Sequence, residues 1–148
     1  MTSRVVEVEA ARRSFLAAGQ GVPARDVLRL EVVASWLRSK QHHVDPDRIA
    51  ARFLGHHQRV PLLVTCGDDV FEEFMAGNAE AGCSLVLTDT SGVVRARRDG
   101  DGALARLLDG LLMVPGYGYA ERTVGTTAAS IALHEHADFA ISGAEHYH

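Results

Sequence analysis

Apolar residues recur at Val5, Val8, Ala11 and Phe15, a three-and-four spacing that gathers them on one stripe of a helix, and Gly19 and Gly21 end the run. The pattern predicts an amphipathic helix, free to extend away from the domain. Val27, Leu30, Ala34 and Leu37 form a second stripe with Trp36 on its border, and Pro23 stands where a first helical turn accepts proline. In HHVDPDRIAARFL, Asp45 is placed to cap and Pro46 to open a helix, with Ile49 and Phe53 one turn apart, so a short third helix is predicted. From Leu62 to Ala81 the positions Leu63, Cys66, Val70, Phe74 and Ala81 make a fourth helical face, with acidic residues opposite and Gly82 available as a left-handed cap. Four helices are therefore expected before any strand.

The periodicity then changes. SLVLT and VVRARR are β-rich runs on either side of DTSG, a four-residue turn whose Asp89 and Gly92 suit its two ends, so a hairpin is predicted here. DGDG punctuates the chain, and Leu104, Leu107, Leu108 and Leu111 mark a short helix before Pro115. A helix over Thr126 to Leu133 and a strand over Asp138 to Ser142 complete the pattern. The order implies an α+β domain with an antiparallel sheet flanked by helices.

Composition changes this picture little. A chain of 148 residues with 47% hydrophobic residues is long enough to bury a core. A formal net charge of -4 supplies no global cationic field, which argues against direct nucleic-acid binding, and Arg95, Arg97 and Arg98 are expected on a solvated strand face. Cys66 and Cys83 form no metal-type or redox-type spacing and are expected as buried thiols. The N-terminus lacks a signal-peptide core, and no apolar run is long enough to span a membrane, so a cytoplasmic location is the expectation.

Candidate chemistry concentrates near the C-terminus. Histidines occur in close pairs, His42 with His43, His56 with His57, His134 with His136 and His146 with His148, but no cysteine or carboxylate completes a metal-ligand spacing; neither metal nor cofactor is expected. No nucleophile stands at a diagnostic distance from a base, so no catalytic residue is assigned and the chain is not expected to be an enzyme. GYGY lacks the remaining glycine of a dinucleotide loop and the lysine of a P-loop. Gly116 and Gly118 instead permit a sharp turn, while Tyr117 and Tyr119 supply rings with hydroxyl tips, either for a small-ligand pocket or for a packed aromatic turn. Thr126 and Thr127 add hydroxyls beside Gly125.

VVASWLRSKQHHVDPDRI, then CSLVLTDTSGVVRARR, GYGYAERTVGTTAASIAL and GAEHYH occur in an order that resembles the GAF-like N-terminal sensor domains of acetoin-catabolism-type bacterial transcription regulators, which act with sigma-54. The resemblance spans Leu30 to His148. Ala34, Ser35 and Trp36 match the start of the family motif Ala-Ser-Trp-Arg-Arg-Ser, with Leu37 in place of the first arginine. Gly125 to Leu133 stand against Gly-Thr-Asn-Ala-Ile-Gly-Thr-Ala-Leu, with Thr127 for the asparagine and Ser130 for the second glycine. Tyr119, Ala120 and Glu121 take the place of a family Trp-Ala-Glu.

The resemblance implies an N-terminal helical segment over 1–60 and a GAF-like domain over 61–148 whose sheet lacks its last strands. In the family, an ATPase and a helix-turn-helix follow. An unfinished sheet exposes unpaired backbone groups, and a second copy of the chain is the simplest cover, so a homodimer is expected. The expected function is a regulatory sensor domain that binds a small effector through Tyr117, Tyr119, Thr126 and Thr127 and controls transcription through an output module. Two other readings stay open: a ligand-free dimerisation or partner-docking module, and a metal- or haem-binding redox sensor built on the paired histidines.

Overall fold

The computed structural model describes residues 2–18, 26–55, 61–78 and 82–148. In chain order it contains α1 (Thr2–Ala17), α2 (Leu30–Gln41), β1 (Arg52–Phe53), α3 (Pro61–Gly77), β2 (Ser84–Thr88), β3 (Val94–Asp99), α4 (Gly102–Gly110), β4 (Tyr117–Gly118), α5 (Glu121–Val124), α6 (Ala128–Glu135) and a 3-10 turn at Gly143–Glu145. The class is α+β: among the described residues, six α-helices accompany two small antiparallel sheets, β1 with β4 and β2 with β3, and neither sheet is closed. The contacts gather into two units. One joins Met1–Ala50 to Ala120–His148, and the other is Ala51–Tyr119.

The first unit is helical. Val8, Ala11 and Phe15 of α1 pack into a shared core with Val32, Val33 and Trp36 of α2, Ile131 of α6 and Tyr147. The α1 stripe is thus consumed inside the unit, and the helix does not extend away from it. Trp36, predicted on the border of its stripe, is at the centre, fully buried and tilted 31° against Phe15 at 5.4 Å between ring centroids. Leu30, predicted inside, is exposed. The phase differs because two serines, Ser35 and Ser39, are fully buried on α2 and break the apolar periodicity. Lys40 ties the two helices together: its ammonium donates to the Phe15 and Ala18 carbonyls at the C-terminal end of α1, where backbone acceptors lack helical partners, and lies 4.6 Å from the Phe15 ring centroid.

Two predicted elements are absent here. Asp45 does accept the Asp47 N–H, as a cap would, but the chain makes only a turn at Pro46–Asp47. The predicted third helix does not form, because Arg52 and Phe53 pair with Gly118 and Tyr117 of β4, a non-local pairing invisible to local propensity. Asp138 to Ser142 has no strand partner either; Phe139 and Ile141 pack against the helical core and Arg29 stacks over the Phe139 ring at 4.4 Å. Pro23 lies outside the described residues.

The second unit is built on the predicted hairpin. Asp89 accepts the Ser91 and Val93 N–H groups with one carboxylate oxygen and the Arg95 guanidinium with the other, which fixes the turn. Gly92, with φ of 77°, occupies the left-handed position that the turn needs. The register shifts between Leu87 and Thr88. α4 begins at Asp101, whose side chain accepts the Ala103 and Leu104 N–H groups.

Helix α3 lies against the hairpin through Gly67, where a Cβ would sit 2.6 Å from Leu87 Cδ2, and through buried Phe71. The face predicted for burial is mostly the outward one: Val70 and Phe74 are exposed, as is Leu62. Cys66 shares that outward face and is exposed, and Cys83 is half-buried, so the expectation of two buried thiols is corrected. The helix carries apolar residues on both faces, and the side that packs is the one whose glycine admits the sheet. The expected cap at Gly82 does not form, since α3 ends at Gly77.

Candidate functional site

The sequence motifs that carried the family resemblance converge in the first unit. Trp36 donates its indole N–H to the Glu145 carbonyl at 2.8 Å, so α2 is bonded directly to the 3-10 turn. The Glu145 side chain receives the Arg29 guanidinium at 3.0 Å on both oxygens and also accepts the Ser142 N–H at 3.0 Å. Arg29 donates further to the Ala140 carbonyl. Ala-Ser-Trp and Gly-Ala-Glu-His, far apart in sequence, are therefore neighbours.

Ser35, on the adjacent face of α2, serves a second polar junction. Its hydroxyl donates to the Glu121 carboxylate and lies 2.8 Å from the Thr126 hydroxyl, which is in turn 3.3 Å from Ser39. Arg38 closes the array with a two-pronged bond to Glu121, at 2.6 Å from Nε and 3.1 Å from Nη2. Burial is tolerable for these hydroxyls because each finds a partner.

The last residues cross this junction. Tyr147 lies over Gly125, its carbonyl accepts from Arg12 at 2.9 Å, and the His148 ring bonds the Val124 carbonyl. Burial lowers the His146 pKa below its ordinary 6.5, aided by the nearby His148 and opposed by a hydrogen bond to the Thr126 backbone and by Glu145. Burial likewise pushes the Tyr147 hydroxyl up.

Beside the Glu145 turn a cleft of about 720 Å³ opens against the N-terminal half of α1. Val5, Val8 and Ala144 are among its apolar lining, and Arg4, Arg29 and Glu145 are its charged groups. The volume is in the range of small-molecule sites. The Gly-Ala-Glu-His motif supplies part of its wall, but no motif marked α1 or Arg29 as the rest, and the pairing of Arg29 with Glu145 has no local signature.

The four residues singled out from sequence fall in both units. Thr126 is fully buried in the array with Ser35 and Ser39, and Thr127 caps α6, its hydroxyl accepting the Ser130 N–H at 3.0 Å. In the second unit Tyr119 is buried and donates its hydroxyl to the Leu111 carbonyl; burial pushes its pKa up to about 12. Tyr117 packs its ring on Phe53 at 5.3 Å between centroids. Gly116 (φ 95°) admits this contact, since a Cβ there would sit 2.6 Å from the Phe53 ring.

Other candidate chemistry is locally balanced. Arg95 pairs with Asp89, Arg97 with Asp99 and Asp109, and Arg98 with Asp68. Among the described residues, no three His, Cys, Asp or Glu side chains come together as a metal site would require; His56 and His57 lie outside those residues. Also among the described residues, no helix is long and apolar enough to cross a membrane.

Comparison with known proteins gives this arrangement a context. Residues 5–148 match the family described as MimR, N-terminal domain. The chain is 32% identical over 142 residues to the propane 2-monooxygenase operon transcriptional activator MimR of Mycolicibacterium goodii, an alignment covering 96% of this chain and 24% of that protein. It is 31% identical over 141 residues to the protein of the same description from Mycolicibacterium smegmatis, covering 95% and 24%. The chain thus spans about a quarter of the length of these curated relatives. No solved structure matches it.

Proposed function

Since the chain belongs to the MimR N-terminal domain family, we propose that it is the regulatory input domain of a transcriptional activator. The observation that carries this reading is the match along nearly the whole chain to proteins described as transcriptional activators, whose lengths leave ample room for an output module. The role is regulatory and not enzymatic, in keeping with those relatives.

The finer reading is a GAF-like sensor domain of the acetoin-regulator type, acting in the cytoplasm, that binds a small effector and passes its state to the output. Helices flanking small antiparallel sheets are compatible with such a domain. Binding would shift a balance between two arrangements, and only an effector with different affinity for the two can do so. In this proposal the cleft of the first unit receives the effector. Tyr119, Thr126 and Thr127 hold the shape of their units through the internal bonds of their hydroxyls, and Tyr117 does so through its ring. The chain acts as a homodimer: among the described residues β2 pairs with β3 alone, and a second copy covers its other edge.

A metabolite screen by thermal shift tests the sensor reading. One compound is expected to raise the melting midpoint saturably, because a ligand at a hundred times its Kd stabilises the folded state by about 2.7 kcal/mol. A folded chain that no compound stabilises, yet whose mass in light scattering depends on concentration, would leave dimerisation as the function. A concentration-independent monomer mass would remove the homodimer.

A further inference from the structure

We infer that the cleft between α1 and the Gly143–Glu145 turn binds an amphipathic monoanion, a small carboxylate with an aliphatic or aromatic body. The inference rests on the sensor reading and names the site and class of its effector.

The floor of the cleft is apolar. Val8 is 7% exposed and anchored in the core, while Val5 is 65% exposed and unsatisfied as an apolar surface, and both are lining residues together with Ala144. Covering such a side chain with a hydrocarbon is favourable in proportion to the apolar area removed from water. A ligand with a hydrocarbon body gains from this surface, and a small, fully polar metabolite does not.

The charged groups select the head. Two guanidiniums, Arg4 and Arg29, face one carboxylate, Glu145, among the lining residues, which leaves a single positive charge. Glu145 is already satisfied by Arg29 and the Ser142 N–H, so it does not seek a cationic ligand. Arg29 is held through Nη2 by Glu145 and the Ala140 carbonyl, yet its side chain is 37% exposed and its charge reaches the cleft, while Arg4, on the exposed side of α1, offers the guanidinium edge. A guanidinium edge matches a carboxylate in shape as well as charge. The net charge of the lining favours one negative charge over two.

The response that such a ligand would carry is also built in. The turn that lines the cleft is the one whose Glu145 carbonyl accepts from buried Trp36. An occupant that draws Arg29 away from Glu145, or holds it there, acts on a segment bonded to the centre of the core.

The test is calorimetric titration of this chain with straight-chain carboxylates from butanoate to decanoate and with the matching primary alcohols. One-to-one saturable binding of carboxylates is expected, tightening with chain length until the cleft is full, with the alcohols weaker by about tenfold or more. Arg4→Gln should remove most of the preference for the acid. Val5→Glu should abolish binding with an unchanged circular dichroism spectrum, since residue 5 is largely exposed. Failure of every carboxylate to bind, or binding that neither substitution alters, would overturn the site. A metabolite that stabilises wild type and Val5→Glu alike would overturn it while leaving the sensor reading intact. If Val5→Glu dissociates a dimer and no carboxylate binds, the cleft belongs to a second copy of the chain and the inference fails.

Discussion

Tyr147 closes over Gly125 so tightly that a Cβ on the glycine would lie 3.0 Å from the Tyr147 Cβ and 3.1 Å from its ring. The glycine has φ 72° and ψ −155°, a backbone region that side chains rarely enter. Space and conformation therefore both exclude a side chain there. Gly125→Ala is expected to destabilise the chain by about 1–3 kcal/mol from backbone strain alone, with more from the displaced tyrosine. Urea denaturation with an unchanged m value would measure it; wild-type stability in that variant would mean that Tyr147 does not hold this position.

Arg38 and Glu121 are both mostly shielded from water, at 22% and 13% side-chain exposure. Their coupling should exceed that of an ordinary surface pair. A double-mutant cycle with Arg38→Ala and Glu121→Gln is expected to give an interaction of about 1 kcal/mol or more. A coupling indistinguishable from zero would show that the array is held by the hydroxyls of Ser35, Ser39 and Thr126 alone.

Asp89 should make the hairpin acid-sensitive. Burial by itself would raise its carboxyl, but the Val93 N–H, Arg95 and the Ser91 N–H together hold it below the ordinary 3.8. A carboxyl depressed in the folded state contributes stability that is complete above 3.8 and is lost as pH falls through the lower folded value. Melting midpoints of Asp89→Asn and wild type should converge as pH drops through that window and separate above it; parallel curves would sink the assignment.

Trp36 is the sole tryptophan, which makes its environment directly readable by fluorescence. Trp36→Phe keeps most of the packing but removes the donor to the half-buried Glu145 carbonyl, at an expected cost of about 1 kcal/mol. Trp36→Ala is expected to cost more, about 3–5 kcal/mol. Wild-type emission should be blue-shifted and poorly quenched by iodide, and solvent-like emission would contradict the burial described.

What could be read in advance was whatever local chemistry decides. The hairpin was legible because Asp89 and Gly92 specify their own turn, and α4 because Leu104, Leu107, Leu108 and Leu111 recur at helical spacing; the caps Asp101 and Thr127 emerge only in the structure. The third helix misled because its start signal, Asp45–Pro46, is satisfied by one turn, while Phe53 answers to Tyr117 across a long separation. On α2 the apolar stripe is out of phase with the buried face, since buried serines look like surface residues until Glu121 and Thr126 stand beside them. The motifs of the site were visible as words, but Arg4, Arg29 and Glu145 acquire meaning only from proximity that spacing does not encode.

The first unit is discontinuous in the polypeptide, assembled from Met1–Ala50 and Ala120–His148. A ribosome delivers Trp36 and Phe15 long before Ile131 and Tyr147, so the nascent half-core must wait, with its greasy surface uncovered, for a late segment to arrive. Closing so long an excursion adds only a logarithmic entropy cost to stability, but it slows the encounter. The core begun by α1 and α2 is thus completed only once Ile131 and Tyr147 have been made.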